Sequence, residues 1–446
     1  MSYEGPEQTY GSAGYAAAAG AEEGKGTAVP SGYAPAYSNP SVHHFKGILV
    51  HSPEVRAQNP FMKYHTYKIT TNPSVVDHVY RRYKDFAWLH ETLQALFPGV
   101  FVPPLPPKKV LGSMDENFVA SERQPALQRF LERVSEIPIL AESVPFQMFI
   151  ARPTTFEEGQ NEVKRLVSSN TTAATLASYS HYYPHVMSQP LPVSAEHEMA
   201  ALAEWLDGEQ KRLAELVSVS KDLVENVQRQ TQLTEKLFLG VHSLYALELR
   251  YPALPGPNRC TFTDALDLWH KDMKDVEPAY TDHLLRPLQY ELQDVEQMIE
   301  LVKYRSSLHA KHAKAKARAD KWRAPDARIE TEKHRQQREA DIREEEDLGR
   351  LLEAVTKLIL LDQNKMVWNF RVTNWSKSVG QFAQAQLTYC TYYYNRFEYL
   401  KCNAVQSQQD PSAAAAAGAV AHVDVDGPTA EAAPEASAAV PSTESP

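Results

Sequence analysis

About two hundred residues, starting near Ala195, carry apolar side chains at the three-to-four spacing of an α-helix, with two short breaks. Segment 251–260 contains three prolines and forms the first break, and Pro325 disfavours helix at the residue before it. At a rise of about 1.5 Å per residue, each uninterrupted stretch would be a rod on the order of 80–110 Å long. The pattern predicts three such helices, over about 195–250, 261–324 and 326–401.

Rods of this length are far longer than the usual globular helix of about 11–12 residues. Their apolar stripes need partners, which the other rods and a second chain can provide. We therefore expect an all-α, elongated three-helix bundle that dimerises, with kinks at Pro278 and Pro287. Four aromatic side chains near the end of the third rod are candidates for bundle core or dimer contacts, with a partner site as the alternative: Phe382, Tyr389, Tyr393 and Phe397.

The segment from Phe45 to Arg152 has a different pattern. Three stretches alternate as strands do, FKGILVHSPE, FMKYHTYKITT and HVYRRY, and helical spacing follows in KDFAWLHETLQALF and RQPALQRFLERVSEI. The proline-rich stretch FPGVFVPPLPPKKV between these helices must be an extended loop. The order predicts a small α+β domain with a three-stranded antiparallel sheet.

The two ends of the chain differ in composition from the middle. Residues 1–43 hold four acids and one lysine, and residues 404–446 hold six acids and no lysine or arginine, so the tails carry nine of the ten net negative charges. Both are rich in small residues and are expected to be disordered. The expected organisation is a tail (1–43), an α+β domain (44–152), a linker (153–194), a rod domain (195–403) and an acidic tail (404–446).

Two adjacent arginines end the third predicted strand. Arg82 lies at the predicted strand-to-helix junction, Lys108 ends the proline-rich loop, and Arg123 begins the next helix. A phosphate site needs several cationic donors from different parts of a fold, because a single exposed ion pair contributes only about 0–1 kcal/mol. Tyr83 adds a ring with an apolar face for a sugar-like ligand. Arg81 we expect to be a solvated strand residue.

The ordered stretches RRYKDF, PPLPPKK and ERQPALQRFL resemble the phosphoinositide-binding PX domain, over about 45–152. The resemblance implies that Arg82 contacts a 3-phosphate, Tyr83 stacks on the inositol ring, Lys108 meets the 1-phosphate and Arg123 binds ring hydroxyls. It also implies the ligand, phosphatidylinositol 3-phosphate, and therefore a peripheral location on early endosomes.

Three apolar features near these residues leave alternatives open. PPLPP is part of the PX pattern, but it also contains two P-x-x-P frames, the motif that SH3 domains bind. Phe101 and Val102 either insert into a membrane or pack inside the loop. Segment 156–167, with Lys164 and Arg165, is a candidate for a short amphipathic membrane helix within the linker.

A dense run of positive charge occupies the end of the second rod and the start of the third. Residues 303–338 hold twelve basic and four acidic side chains, a net charge of +8. Anionic lipid attracts such side chains by about 1 kcal/mol each, which favours a membrane contact. The alternative is that the helix end is simply charged and exposed to solvent. Nucleic acid is not expected, since no recognition fold accompanies the run. The predicted membrane contacts are Lys311, Lys314, Lys316, Arg318, Lys321 and Arg323.

A PX-like domain followed by long rods with a basic turn resembles the PX-BAR sorting nexins. The resemblance implies a homo- or heterodimer, curvature sensing or induction in endosomal sorting, and a retromer-like cargo complex as a further partner. A coiled-coil scaffold that its PX domain addresses to endosomes is the alternative. No catalytic motif is present, and three scattered cysteines offer neither disulfide framework nor zinc site, so we expect no enzyme, cofactor or metal. We also expect reduced thiols, no signal peptide and a cytoplasmic protein.

Overall fold

The computed structural model describes residues 45, 47–59, 62–72, 74, 76–106, 122–152, 154–248, 250, 259–323 and 332–409. The predictions made for residues 1–43, Lys108 and residues 410–446 fall outside these residues, whereas residues 404–409, expected in the acidic tail, are helical and continue the third rod.

The first domain is built on one long strand. The strands are β1 (Gly47–Val50), β2 (Glu54–Asn59), β3 (Met62–Asn72) and β4 (Val79–Arg82), and β1, β2 and β4 all pair antiparallel with β3. Val50 pairs with Ile69 and Glu54 with Thr66, so β1 and β2 follow each other along the same edge of β3. β1 falls in the first predicted stretch, FKGILVHSPE, whereas β2 lies almost entirely beyond it and was not predicted. The two strands are separated near Pro53, which has no N–H for the ladder. The predicted small antiparallel sheet is thus confirmed, with four strands rather than three.

Helices cover the sheet and complete this domain. They are α1 (Tyr83–Leu96), α2 (Gln124–Glu136), α3 (Pro138–Ala141) and α4 (Val144–Ala151). Phe86 and Leu89 of α1 and Phe130 of α2 are buried, as the helical spacing predicts. The Phe86 ring contacts Phe130 and Phe149 edge-on, with centroids 6.4 and 4.9 Å apart. These rings hold α1, α2 and α4 together over the sheet.

The predicted linker is more structured than its composition suggests. It forms α5 (Phe156–Ser169), α6 (Thr172–Tyr182) and α7 (Pro184–Met187). Tyr179 and Val186 are fully buried there. The interpretation of YYPHVMSQPLPV as plain linker was therefore wrong for its first part, because these side chains pack against both neighbouring domains.

Three rods follow, in the predicted order. The first is α8 (Ala195–Glu248); the second joins α9 (Arg259–Tyr280) and α10 (Arg286–Arg323) through π-helical Thr281–Leu285. The third joins α11 (Glu332–Leu358) and α12 (Asn364–Gln409) through π-helical Ile359–Gln363. The irregular turns of the second rod lie between Pro278 and Pro287, near the predicted kinks. The third rod has no proline, and its π-helical segment was not predicted.

The two domains share one hydrophobic core. Buried side chains run without interruption from the sheet through α6 and α7 into the rods. A buried charged cluster, here named the arginine clasp, crosses the same boundary: Arg129 and Arg133 of α2 donate to the Asp294 carboxylate of α10 at 2.6 and 2.7 Å. The side chains of Asp294 and Arg133 are only 1% and 5% exposed. The first domain is thereby fixed against the rods.

Candidate functional site

The two adjacent arginines at the end of β4 point in opposite directions. Arg81 pairs with Tyr67 of β3 and Arg82 with Thr66. Successive strand side chains alternate between the faces of a sheet, so Arg81 shares the buried face with Tyr67 while Arg82 lies on the other. One arginine is therefore structural and the other is available to a ligand.

Arg81 is not the solvated residue that we expected. Its side chain is 2% exposed, and its guanidinium donates to the carbonyls of Phe149 and Arg152 at 2.9 and 2.6 Å. It also covers the Phe156 ring at 3.9 Å. Burial lowers the pKa of Arg81 to about 10, and nearby Asp85 opposes that shift. Arg81 thus ties the end of the first domain to the start of α5.

Arg82 lies where β4 becomes α1. The Asp85 carboxylate accepts the backbone N–H of Arg82 at 2.7 Å, which caps the helix and fixes the junction. The Arg82 guanidinium lies 3.5 Å over the Tyr64 ring. Within the described part of the chain it forms no ion pair with an acidic side chain, so its charge is not neutralised by the protein there.

Tyr83 and Arg123 are brought together, as predicted. The Arg123 guanidinium lies 4.6 Å from the centre of the Tyr83 ring, and the Tyr83 hydroxyl donates to the Pro106 carbonyl at 2.5 Å. The β4–α1 junction, the proline-rich loop and the start of α2 therefore meet around the Tyr83 ring. Because Arg123 covers one face of Tyr83, an inositol ring stacked on Tyr83 would use the other face or displace Arg123.

The electrostatics of this cluster combine burial with positive charge. Burial raises the pKa of Tyr83, and the Arg123 charge opposes the shift. Burial also raises the pKa of Tyr67, again opposed by Arg123. Both hydroxyls therefore stay protonated at neutral pH, and the positive charge of Arg123 is not cancelled by a phenolate.

The structure bears on two of the three apolar features whose role the sequence left open. Phe101 and Val102 are both fully buried, so they pack inside the loop rather than forming a membrane-inserting tip. The candidate amphipathic helix exists as α5, but its apolar side is covered: Val163 is 2% exposed, and Phe156 packs edge-on against Trp88 at 5.4 Å. Lys164 and Arg165 are exposed on the opposite side. In this arrangement α5 has no free apolar face for a bilayer.

The six predicted membrane contacts all lie exposed at the end of α10. Lys311, Lys314, Lys316, Arg318, Lys321 and Arg323 are here named the arm-tip cluster. Helix geometry places them on both sides of the buried Ala315 and Ala319 seam, which packs on α11.

Not all of this positive charge is free. Arg318 pairs with Glu344 at 2.7 Å, and Arg323 pairs with Glu345 at 2.9 Å, both on α11. Arg305, counted in the same run, is buried and paired with Glu196. The net charge of residues 303–338 therefore overestimates the free surface charge, because Glu344 and Glu345, which come later in the sequence, lie beside α10 on the adjacent helix α11. Among the described residues, the four lysines of the arm-tip cluster form no ion pair: Lys311, Lys314, Lys316 and Lys321.

A second exposed feature runs along α8 and α12 and was only partly anticipated. Large apolar side chains there are 38–56% exposed in the single chain. The Trp205 and Trp368 rings meet with centroids 6.2 Å apart, which joins the stripes of the two helices. We name this set the apolar face: Trp205, Leu216, Val219, Leu223, Leu233, Leu237, Trp368, Val372, Trp375 and Val379.

The aromatic side chains near the end of α12 pack mainly inside the bundle. Phe382 contacts Tyr280 at 5.1 Å, the Tyr389 hydroxyl lies 3.0 Å from the Met273 sulfur, and Phe397 contacts Trp269 at 5.4 Å. The bundle-core interpretation therefore holds for these rings, whereas Tyr393 remains 43% exposed.

Known proteins resemble the chain in both of its domains. The PX domain family matches residues 69–153. Vacuolar protein sorting-associated protein vps5 of Schizosaccharomyces pombe is 33% identical over 133 residues, 28% of this chain and 22% of the relative. Sorting nexin-30 of Xenopus tropicalis is 27% identical over 274 residues, 57% of this chain and 56% of the relative. The chain therefore spans less than two thirds of the length of either curated relative.

The rods also have a counterpart of known structure. The cryo-EM structure of the SNX-BAR Mvp1 tetramer matches with a TM-score of 0.55 and 14% identity, over 77% of this chain and 98% of that one. The chain therefore contains a match to the PX domain and shares the overall fold of that SNX-BAR chain. Among the described residues, no helix is long and apolar enough to span a bilayer.

Proposed function

We propose that the protein is a peripheral endosomal coat component that binds phosphatidylinositol 3-phosphate and, as a dimer, senses or induces membrane curvature. The observation that carries the proposal is the meeting of Tyr83, Arg123 and the proline-rich loop beside Arg82, which forms no ion pair with any acid that the structure describes. Lys108, outside the described residues, is proposed as a further ligand. The location is proposed to be early endosomes, and a retromer-like cargo complex a further partner.

Two further features support this proposal. Four lysines of the arm-tip cluster form no ion pair with the acids that the structure describes and are available to anionic lipid. The apolar face is suited to a second copy of the chain or a related one, since such a long exposed stripe is costly in a monomer. We infer domain limits of 44–152 for the PX domain and 195–403 for the BAR domain, with 153–194 as a structured connector.

Replacing Arg82 with alanine tests the lipid site. We expect binding of the full-length chain to liposomes containing phosphatidylinositol 3-phosphate to weaken about 10- to 100-fold, because charge-assisted bonds to a phosphate contribute about 1.5–3 kcal/mol. Liposome sedimentation measures the change.

Arg56→Ala is the matched control for that variant. Arg56 is exposed on the same sheet and also lies over a tyrosine ring, 3.7 Å from that of Tyr80. It should bind like the parent chain. Unchanged recruitment of Arg82→Ala would remove the lipid site from the proposal.

Changing Lys314 and Lys321 to serine tests the arm-tip cluster. We expect binding to anionic liposomes to fall about 10- to 30-fold, since each lysine near the surface contributes about 1 kcal/mol. Sedimentation at increasing salt concentration should show a shallower salt dependence than for the parent chain.

The variant with arginine at both positions keeps the charge and should restore binding. Equal binding by the serine and arginine variants would contradict a membrane role for these residues. Electron microscopy of the same liposomes distinguishes curvature induction from the scaffold alternative, because the scaffold predicts no tubules at any protein concentration.

A further inference from the structure

The proline-rich loop of the PX domain is held in part by residues outside that domain. Residues 97–106, here named the proline loop, contain Pro103, Pro104 and Pro106, which have no N–H to donate. Buried backbone groups nearby therefore need partners from elsewhere. Three side chains provide them: Asn170 donates to the Leu96 carbonyl at 3.3 Å, the Tyr179 hydroxyl donates to the Pro98 carbonyl, and Gln363 Oε1 accepts the Phe101 N–H at 2.7 Å.

Gln363 comes from the BAR domain and is completely buried. It ends the π-helical segment of the third rod, and such insertions in α-helices often occur at functional positions. Its Nε2 donates to the Asp362 carboxylate at 2.7 Å, which fixes the amide with Oε1 toward the loop. The irregular turn thus has a defined partner in the PX domain.

The contact between loop and rod is also close in space. Gly99 has a φ of +94°, and a Cβ at that position would lie 2.8 Å from a methyl carbon of Val355 on α11. Only glycine combines that backbone conformation with so close an approach. The loop therefore contacts the rod directly, at Gly99 and at Phe101.

The other end of the loop belongs to the candidate lipid site. The Pro106 carbonyl accepts the Tyr83 hydroxyl at 2.5 Å, and Tyr83 in turn lies against Arg123. A shift of the loop would therefore move the acceptor that orients Tyr83.

We propose that Gln363 and Tyr179 are positioning residues for the phosphoinositide site, so that the BAR domain and the connector shape the loop that the lipid headgroup meets. The inference depends on the proposed lipid-binding function. Neither residue touches the ligand; each acts through the backbone of the proline loop.

Two conservative variants of the full-length chain test this. Gln363→Met keeps side-chain length but loses the acceptor, and Tyr179→Phe loses only the hydroxyl. We expect each to weaken binding of a soluble short-chain phosphatidylinositol 3-phosphate about 3- to 10-fold by calorimetry. Amide exchange in residues 97–102 should become faster in both. Gln336→Met, at an exposed position on α11, is the matched control and should bind like the parent chain.

The outcomes separate this inference from the proposed function. Parent-like binding by both variants, while Arg82→Ala binds weakly, overturns the inference alone. Parent-like binding by Arg82→Ala overturns the lipid site and the inference with it. If Gln363→Met does not fold, Tyr179→Phe decides, because it keeps the buried ring.

Discussion

Replacing Asp294 with alanine is expected to destabilise the protein by about 3–5 kcal/mol, because it leaves two buried guanidinium groups without their shared carboxylate. Arg129 and Arg133 both donate to that carboxylate, and their side chains are only 13% and 5% exposed. Burial already lowers the pKa of Arg133, with Arg129 adding to the shift and Asp294 opposing it. Removing Asp294 therefore removes the carboxylate that stabilises the charged form of Arg133. Chemical denaturation followed by circular dichroism measures the loss.

Two further variants make the result specific. Asp267→Ala removes a partly exposed acid that pairs with Lys271 one helical turn away, and should cost no more than about 0.5 kcal/mol. The triple variant Arg129→Met, Arg133→Met and Asp294→Leu replaces all three charged groups by apolar ones and should recover most of the stability. A small effect of Asp294→Ala would mean that the clasp contributes little to holding the domains together.

Changing Leu223 and Leu237 to glutamate is expected to raise the dissociation constant of the proposed dimer by about a thousandfold or more, because burying each charge costs several kcal/mol. Both side chains belong to the apolar face and are 42% and 47% exposed in the single chain. The folded monomer should tolerate the change, since the glutamates stay in water there. Analytical ultracentrifugation measures the association, and thermal unfolding measures the stability of the monomer.

Leu239→Glu provides the control on the same helix. Leu239 is 53% exposed but lies about 160° around the helix axis from Leu237, away from the apolar face. It should leave the dimer intact. Dissociation by Leu239→Glu, or an intact dimer in the double variant, would place the interface on another surface.

The rods were the most predictable part of the fold. Apolar spacing sustained over fifty residues can hardly arise by accident, and proline and glycine interrupt it where the described helices end. The π-helical segment at Ile359–Gln363 was not predicted, because no proline marks it and its contact is with the proline loop, which is distant in the sequence. Patterns within a helix reveal its period, whereas contacts between domains depend on residues far away in the sequence.

The candidate site was predicted in part for the same reason. Strand alternation requires adjacent arginines to face opposite ways, but only the pairing with β3 tells which one is buried. Arg81 therefore went unrecognised as a structural residue. The free charge of the arm-tip cluster was overestimated because Glu344 and Glu345 approach it from the next helix.

The arginine clasp and the continuous core fix the proposed lipid site relative to the rods. In the proposed function, a molecule bound through its headgroup site would present the arm-tip cluster at one fixed inclination. Only a bilayer whose surface passes through both places would then contact the two at once, and the membrane shape would be selected by geometry as well as by charge.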